Sequence, residues 1–125
     1  MKETIRTLIS HEELKNRIRS MGEEISRDFE GQSVHLICIL KGSMYFTCEL
    51  AKYITVPVTF DFMSVSSYGG GTKSSGVVRM IKDLDEPING KDVLIVEDII
   101  DSGRTLSYLL NNLSSRQPNS IRLCT

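Results

Sequence analysis

Two short segments are apolar at nearly every position: Val34-His35-Leu36-Ile37-Cys38-Ile39-Leu40 and Val93-Leu94-Ile95-Val96. Runs this short, with β-branched residues in each, suit strands better than helices. A strand apolar throughout has no wet face, so both its faces must be covered, as in a parallel sheet with helices on each side. The chain has segments to cover them. Leu14, Ile18, Met21, Ile25 and Phe29 recur at helical spacing over residues 11–29. Ser10 and Glu13 fit a capping box at its start, and Gly31 a stop at its end. A second helix is expected from a Ser43 cap to about Ile54, with Phe46, Leu50 and Ile54 on one face. A third is expected over 105–113, with further strands at 56–65, 77–81 and 120–124. Strands alternating with helices predict an α/β fold, a central parallel sheet flanked by helices. Ligands of such sheets bind at the carboxyl ends of the strands. Both polar breaks, Lys41-Gly42 and Glu97-Asp98, fall there.

The 125 residues suit one domain, 1–125, with one core. Fifteen Lys and Arg stand against sixteen Asp and Glu, for a net charge of -1. That balance offers no footprint for duplex nucleic acid or for an anionic membrane. An anionic ligand must therefore be held by local geometry. Cys38, Cys48 and Cys124 are scattered among apolar neighbours without a CxxC pair. They are expected to be reduced and buried, as in a cytoplasmic protein. The first residues contain no apolar run of the signal-peptide kind, and no stretch is apolar enough to span a membrane. His11 and His35 lack ligand-like spacing and read as structural.

The chemistry concentrates in Val93-Leu94-Ile95-Val96-Glu97-Asp98-Ile99-Ile100-Asp101-Ser102-Gly103-Arg104-Thr105. A buried strand ends in two adjacent carboxylates, and Asp-Ser-Gly-x-Thr then opens a helix. The amides of 102–105 point at one spot, where the helix end adds roughly half a positive charge. Ser102 and Thr105 add hydroxyls, and Gly103 allows close backbone approach. This is a ready cradle for a phosphate. Glu97, Asp98 and Asp101 repel one another beside a buried strand. A magnesium ion and a sugar diol would offset that repulsion. The plain alternative is a capped helix with solvated acids. The conjunction of apolar strand, paired acids and phosphate-type turn favours the functional reading.

Residues 66–76 hold four glycines without periodicity, which predicts a long loop before a return strand at 77–81. Its length suits a lid, though a simple connection with Tyr68 as a surface anchor has the same composition. Gly71 and Gly76 have the P-loop spacing, but Val77 and Val78 stand where Lys and Ser or Thr are required. Lys41-Gly42-Ser43 has a bland reading too, as a strand-to-helix turn.

The 93–105 run resembles the signature of type I phosphoribosyltransferases. Leu40-Lys41-Gly42-Ser43, Ser67-Tyr68-Gly69, Lys82-Asp83-Leu84-Asp85 and Gly90-Lys91-Asp92-Val93 resemble segments of the bacterial hypoxanthine-guanine branch, and the resemblance runs from about Ser10 onward. It implies transfer of a phosphoribosyl group from phosphoribosyl diphosphate to a 6-oxopurine, with magnesium, in the cytoplasm, by a homodimer or homotetramer. Glu97 and Asp98 would hold the ribose hydroxyls, partly through magnesium. Asp101 would be the general base at purine N7. Asp101, Ser102, Gly103, Arg104 and Thr105 would bind the 5'-phosphate. Leu40, Lys41 and Gly42 would bind the diphosphate, across a cis Leu40–Lys41 peptide. Ser67, Tyr68 and Gly69 would form the lid.

The resemblance also implies a C-terminal segment of the family that these residues lack, including the groups that read the purine. A chain without it is expected to expose apolar surface and to self-associate in light scattering. Two further readings share the motif: a non-catalytic regulator that binds phosphoribosyl diphosphate, and an inactive fragment that keeps only the sugar-phosphate site. A kinase that makes phosphoribosyl diphosphate would need an ATP-binding region that is not visible.

Overall fold

The computed structural model describes residues 10–68, 77–97 and 103–124, and only the backbone of Ser67, Tyr68, Val77, Gly103 and Arg104. Helix α1, His11–Asp28, begins where Ser10 Oγ accepts the Glu13 amide at 3.0 Å. Glu12 and Glu13 in its first turn and Arg27 in its last complement the helix dipole. Gly31, at φ +78°, turns the chain after it. Strand β1, Val34–Ile39, is buried along its whole length. Helix α2, Met44–Ala51, follows. The amides of Lys52, Tyr53 and Ile54 bond to carbonyls three residues back. This tight 3₁₀-type turn ends the helix three residues before the expected Ile54. Ile54 is still buried.

Strands β2 (Val58–Tyr68) and β3 (Val77–Lys82) form an antiparallel pair. That pairing carries β2 past Val65, so Ser66, Ser67 and Tyr68 lie in a strand rather than in the expected loop. Strand β4 (Asp92–Val96), helix α3 (Gly103–Ser114) and strand β5 (Ser120–Cys124) complete the order. The five strands run β3-β2-β1-β4-β5. The pairs β1–β2, β1–β4 and β4–β5 are parallel, so the parallel sheet predicted from sequence carries one antiparallel edge strand.

Alternation along the central strands splits the core in two. Leu36, Leu94 and Val96 pack with Ile18 and Ile25 of α1, with Phe29 just after it and with Leu50 of α2. Ile37, Ile39, Val93 and Ile95 face the other way, onto Ile88 and onto Leu109 and Leu113 of α3. At Gly22 a Cβ would sit 2.5 Å from Tyr53 Cβ, so the absence of a side chain lets α1 close on the segment after α2. Cys38 and Cys124 are buried as expected, but Cys48 is exposed. It lies on the solvent side of α2, where its apolar neighbours in sequence do not surround it.

His35 is structural, as read from sequence, but imperfectly satisfied. The residue is 4% exposed. Nδ1 lies 2.6 Å from Thr59 Oγ1, while Nε2 has no partner among the described residues. Burial, helped by the charge of Lys91 and opposed by Asp61 and Glu86, pushes its pKa below the ordinary 6.5. The unfolded chain therefore binds this proton first as pH falls, and the folded state loses stability below about pH 6.5. Denaturant midpoints across that range should fall with acid more steeply in the native chain than in His35→Leu. Equal slopes would contradict the assignment.

Candidate functional site

The strand order places the site before any side chain is considered. From β1 the chain crosses through α2 to β2 on one side, and from β4 through α3 to β5 on the other. The direction of winding thus reverses between β1 and β4; at such a switch point open α/β sheets bind their ligands in a crevice beyond the carboxyl ends of the strands. Cys38 pairs with Val96 across this boundary. The Leu40-Lys41-Gly42 turn after β1 and Glu97 after β4 therefore lie side by side at this switch point. The backbone of α3 starts at Gly103 on the same edge, with Thr105 half-buried in its first turn.

The β1–α2 turn is held from both ends. The Leu40 amide donates to Met63 O at 2.8 Å, and the Met44 amide to Lys41 O at 3.2 Å. Between them the Leu40–Lys41 peptide is cis, in agreement with the sequence expectation. Lys41 and Gly42 are exposed. Their amides donate to no described residue, so they remain available to an anion. Ser43 departs from expectation. It precedes α2 but its side chain makes no cap hydrogen bond. It is wholly buried, and its hydroxyl donates backward to Ile39 O at 2.5 Å. A Ser before an apolar helical pattern looks alike in both roles, so sequence could not separate them.

Glu97 is half-buried, and its amide extends the β4–β5 ladder by donating to Cys124 O at 3.0 Å. Its carboxylate is a hard oxygen donor of the type magnesium takes. Among the described residues no three His, Cys, Asp or Glu side chains gather into a metal cluster. The remaining acids, Asp98 and Asp101, lie outside the described residues, as do Ser102 and Gly69. The backbone of Ser67 and Tyr68 ends β2. From Met63, which pairs with Ile39 at the end of β1, β2 continues to Tyr68, about 16 Å at strand rise. The paired strands β2 and β3 thus extend beyond the carboxyl end of β1.

Sequence reading also missed Asp61. It is 2% exposed on β2. Its carboxylate accepts the amides of Phe62 at 2.8 Å, Asp85 at 3.0 Å and Glu86 at 3.1 Å. Burial pushes its pKa up, but the Asp85, Phe62 and Glu86 amides and the charge of Lys82 outweigh that and hold it below 3.8. It fastens the segment that leads into β4. An Asp flanked by phenylalanines in a strand pattern was the available signal.

Residues 6–125 match the family model described as phosphoribosyl transferase domain. A hypoxanthine-guanine phosphoribosyltransferase from Mycobacterium tuberculosis is 52% identical, over 94% of this chain and 61% of its own length. One from Streptococcus thermophilus is 43% identical, over 99% of this chain and 69% of its own. The crystal structure of a hypoxanthine-guanine phosphoribosyltransferase from Bacillus anthracis superposes with a TM-score of 0.91 at 44% identity, covering 98% of this chain and 72% of that one. The chain thus spans about three fifths of the length of the mycobacterial relatives it matches. A mostly parallel α/β sheet with its switch point between β1 and β4, a phosphate-type sequence motif before α3 and these likenesses agree: the chain belongs to the phosphoribosyltransferase family, in its hypoxanthine-guanine branch.

Proposed function

We propose that this chain binds phosphoribosyl diphosphate and carries the phosphoribosyl-transfer half of a purine salvage enzyme, with hypoxanthine or guanine as acceptor and IMP or GMP and diphosphate as products. The observation that carries the reading is the topological switch point between β1 and β4, with a turn of open amides on one side and Glu97 and the start of α3 on the other. The amides of 102–105 and the Ser102 and Thr105 hydroxyls hold the 5'-phosphate. Glu97 and Asp98 hold the ribose hydroxyls and a magnesium ion, for which all-oxygen donors fit. Magnesium, when bound, supplies neutralising charge for the diphosphate.

The Leu40-Lys41-Gly42 turn steadies the departing diphosphate through backbone N–H groups and the Lys41 charge. Asp101 accepts or shares the N7 proton of the purine as N9 attacks the anomeric carbon. Cationic character develops on the ribose at that moment and would react with water. A lid begun by Ser67, Tyr68 and Gly69 excludes it. A cytoplasmic setting and a homodimer or homotetramer complete the reading. It is consistent with described helices none of which is long and apolar enough to cross a membrane.

The test is to mix the chain with phosphoribosyl diphosphate, magnesium and hypoxanthine or guanine, and to follow nucleotide and diphosphate. Magnesium-dependent product supports the full reading. Binding of phosphoribosyl diphosphate without product supports a sugar-phosphate site alone. Absence of both would refute the proposal.

A further inference from the structure

Ser43 stands where the β1–α2 turn meets the core, and its contacts reach both ways. Its hydroxyl donates to Ile39 O, the carbonyl of the last residue of β1, and lies 3.5 Å from Cys38 Sγ. Its own carbonyl accepts twice from Thr47, from the amide at 2.8 Å and from Oγ1 at 2.7 Å. Ser43 and Thr47 are both buried, at 0% and 2% exposure. The strand end and the first turn of α2 are therefore tied together through one residue. Lys41 and Gly42 are the exposed arc between these anchors.

An arc of two residues with open amides does not hold its own shape. Met44 N to Lys41 O, at 3.2 Å, is a long bond, and Lys41 and Gly42 have no other hydrogen bond to a described residue. A helix cap role for Ser43 is excluded by geometry, since the hydroxyl points back along the chain. The hydroxyl does not meet solvent either, because the group is fully enclosed. A buried hydroxyl is kept where its hydrogen bond fixes something, and what this one fixes is the angle at which the arc leaves β1.

We infer that Ser43 is a positioning residue for the diphosphate end of the ligand. It works with Thr47 to hold the Lys41 and Gly42 amides in one orientation beside the crevice. The inference rests on the phosphoribosyl diphosphate reading and adds to it a residue that need not touch the ligand. Preorganised amides bind an anion without first having to be ordered, and that advantage is lost when the anchor is released.

Calorimetric titration of the whole chain in magnesium tests this with three probes: phosphoribosyl diphosphate, inorganic diphosphate and ribose 5-phosphate. Ser43→Ala should weaken the first two about fivefold to tenfold, the loss of one buried hydrogen bond, and leave ribose 5-phosphate unchanged, since that probe uses the far side of the crevice. Thr47→Val, which removes only the second hydroxyl, should shift the same two probes in the same direction by less, and serves if the alanine variant does not fold. Unchanged diphosphate affinity in a folded variant overturns the inference. So does an equal loss for all three probes, which would make Ser43 a purely structural residue. Failure of the unaltered chain to bind any probe would instead sink the reading on which the inference stands.

Discussion

Replacing Asp101 by asparagine is expected to lower turnover about 10²- to 10⁴-fold, the usual weight of one general base, while phosphoribosyl diphosphate still binds. Asparagine keeps the size of the side chain and its hydrogen-bonding reach but cannot accept a proton at neutral pH. In the proposed binding mode the 5'-phosphate is held by the amides and hydroxyls of the same turn, so ground-state binding has little reason to change. The separation is what makes the experiment informative. Steady-state rates with the purine, set beside titration with phosphoribosyl diphosphate, should show a large loss in the first and none in the second. Unchanged turnover would remove Asp101 from the mechanism. Parallel loss of both would make it a structural member of the turn.

Replacing Asp61 by alanine is expected to cost about 3 kcal/mol of folding stability, a large part of the 5–15 kcal/mol typical of a domain. Three amides lose their acceptor: Phe62 within β2, and Asp85 and Glu86 in the segment before β4. That segment brings Ile88, 1% exposed, into the core beneath α3. Its release would uncover apolar surface as well as unpaired amides. Asp61→Asn keeps one acceptor oxygen and should lose about half as much. The carboxyl also gives a pH signature. Its folded pKa lies below 3.8, so its contribution is fully present above that value and is lost as pH falls through the folded pKa. Thermal unfolding should show a drop of roughly 10 °C for the alanine variant. A change within error would mean that the 85–86 turn holds itself.

Much of the fold was legible because burial writes itself into residue choice. A strand covered on both faces admits little besides apolar residues, and 34–39 and 92–96 show that without any partner in view. Helix α1 was readable from one repeating stripe and from Ser10, whose hydroxyl caps the residue that local spacing indicates. The acids and the Asp-Ser-Gly sequence after β4 pointed to the family, because few other pressures place such groups beside a core strand. Sequence alone, then, determined the fold class, the family and the residues to suspect.

Tertiary structure decided what depends on partners distant along the chain. The antiparallel extension of β2 to Tyr68 exists because β3 pairs with it. Exposure of Cys48 depends on which side of α2 meets the sheet. Ser43 faces inward because a carbonyl left at the end of β1 sits within reach. Asp61 and His35 look alike in sequence, as single polar residues in strands. One is met by three amides, the other by a single hydroxyl. Local sequence records the need for a partner; only packing decides whether the partner arrives, because hydrogen bonds and contacts are made in space and not along the chain.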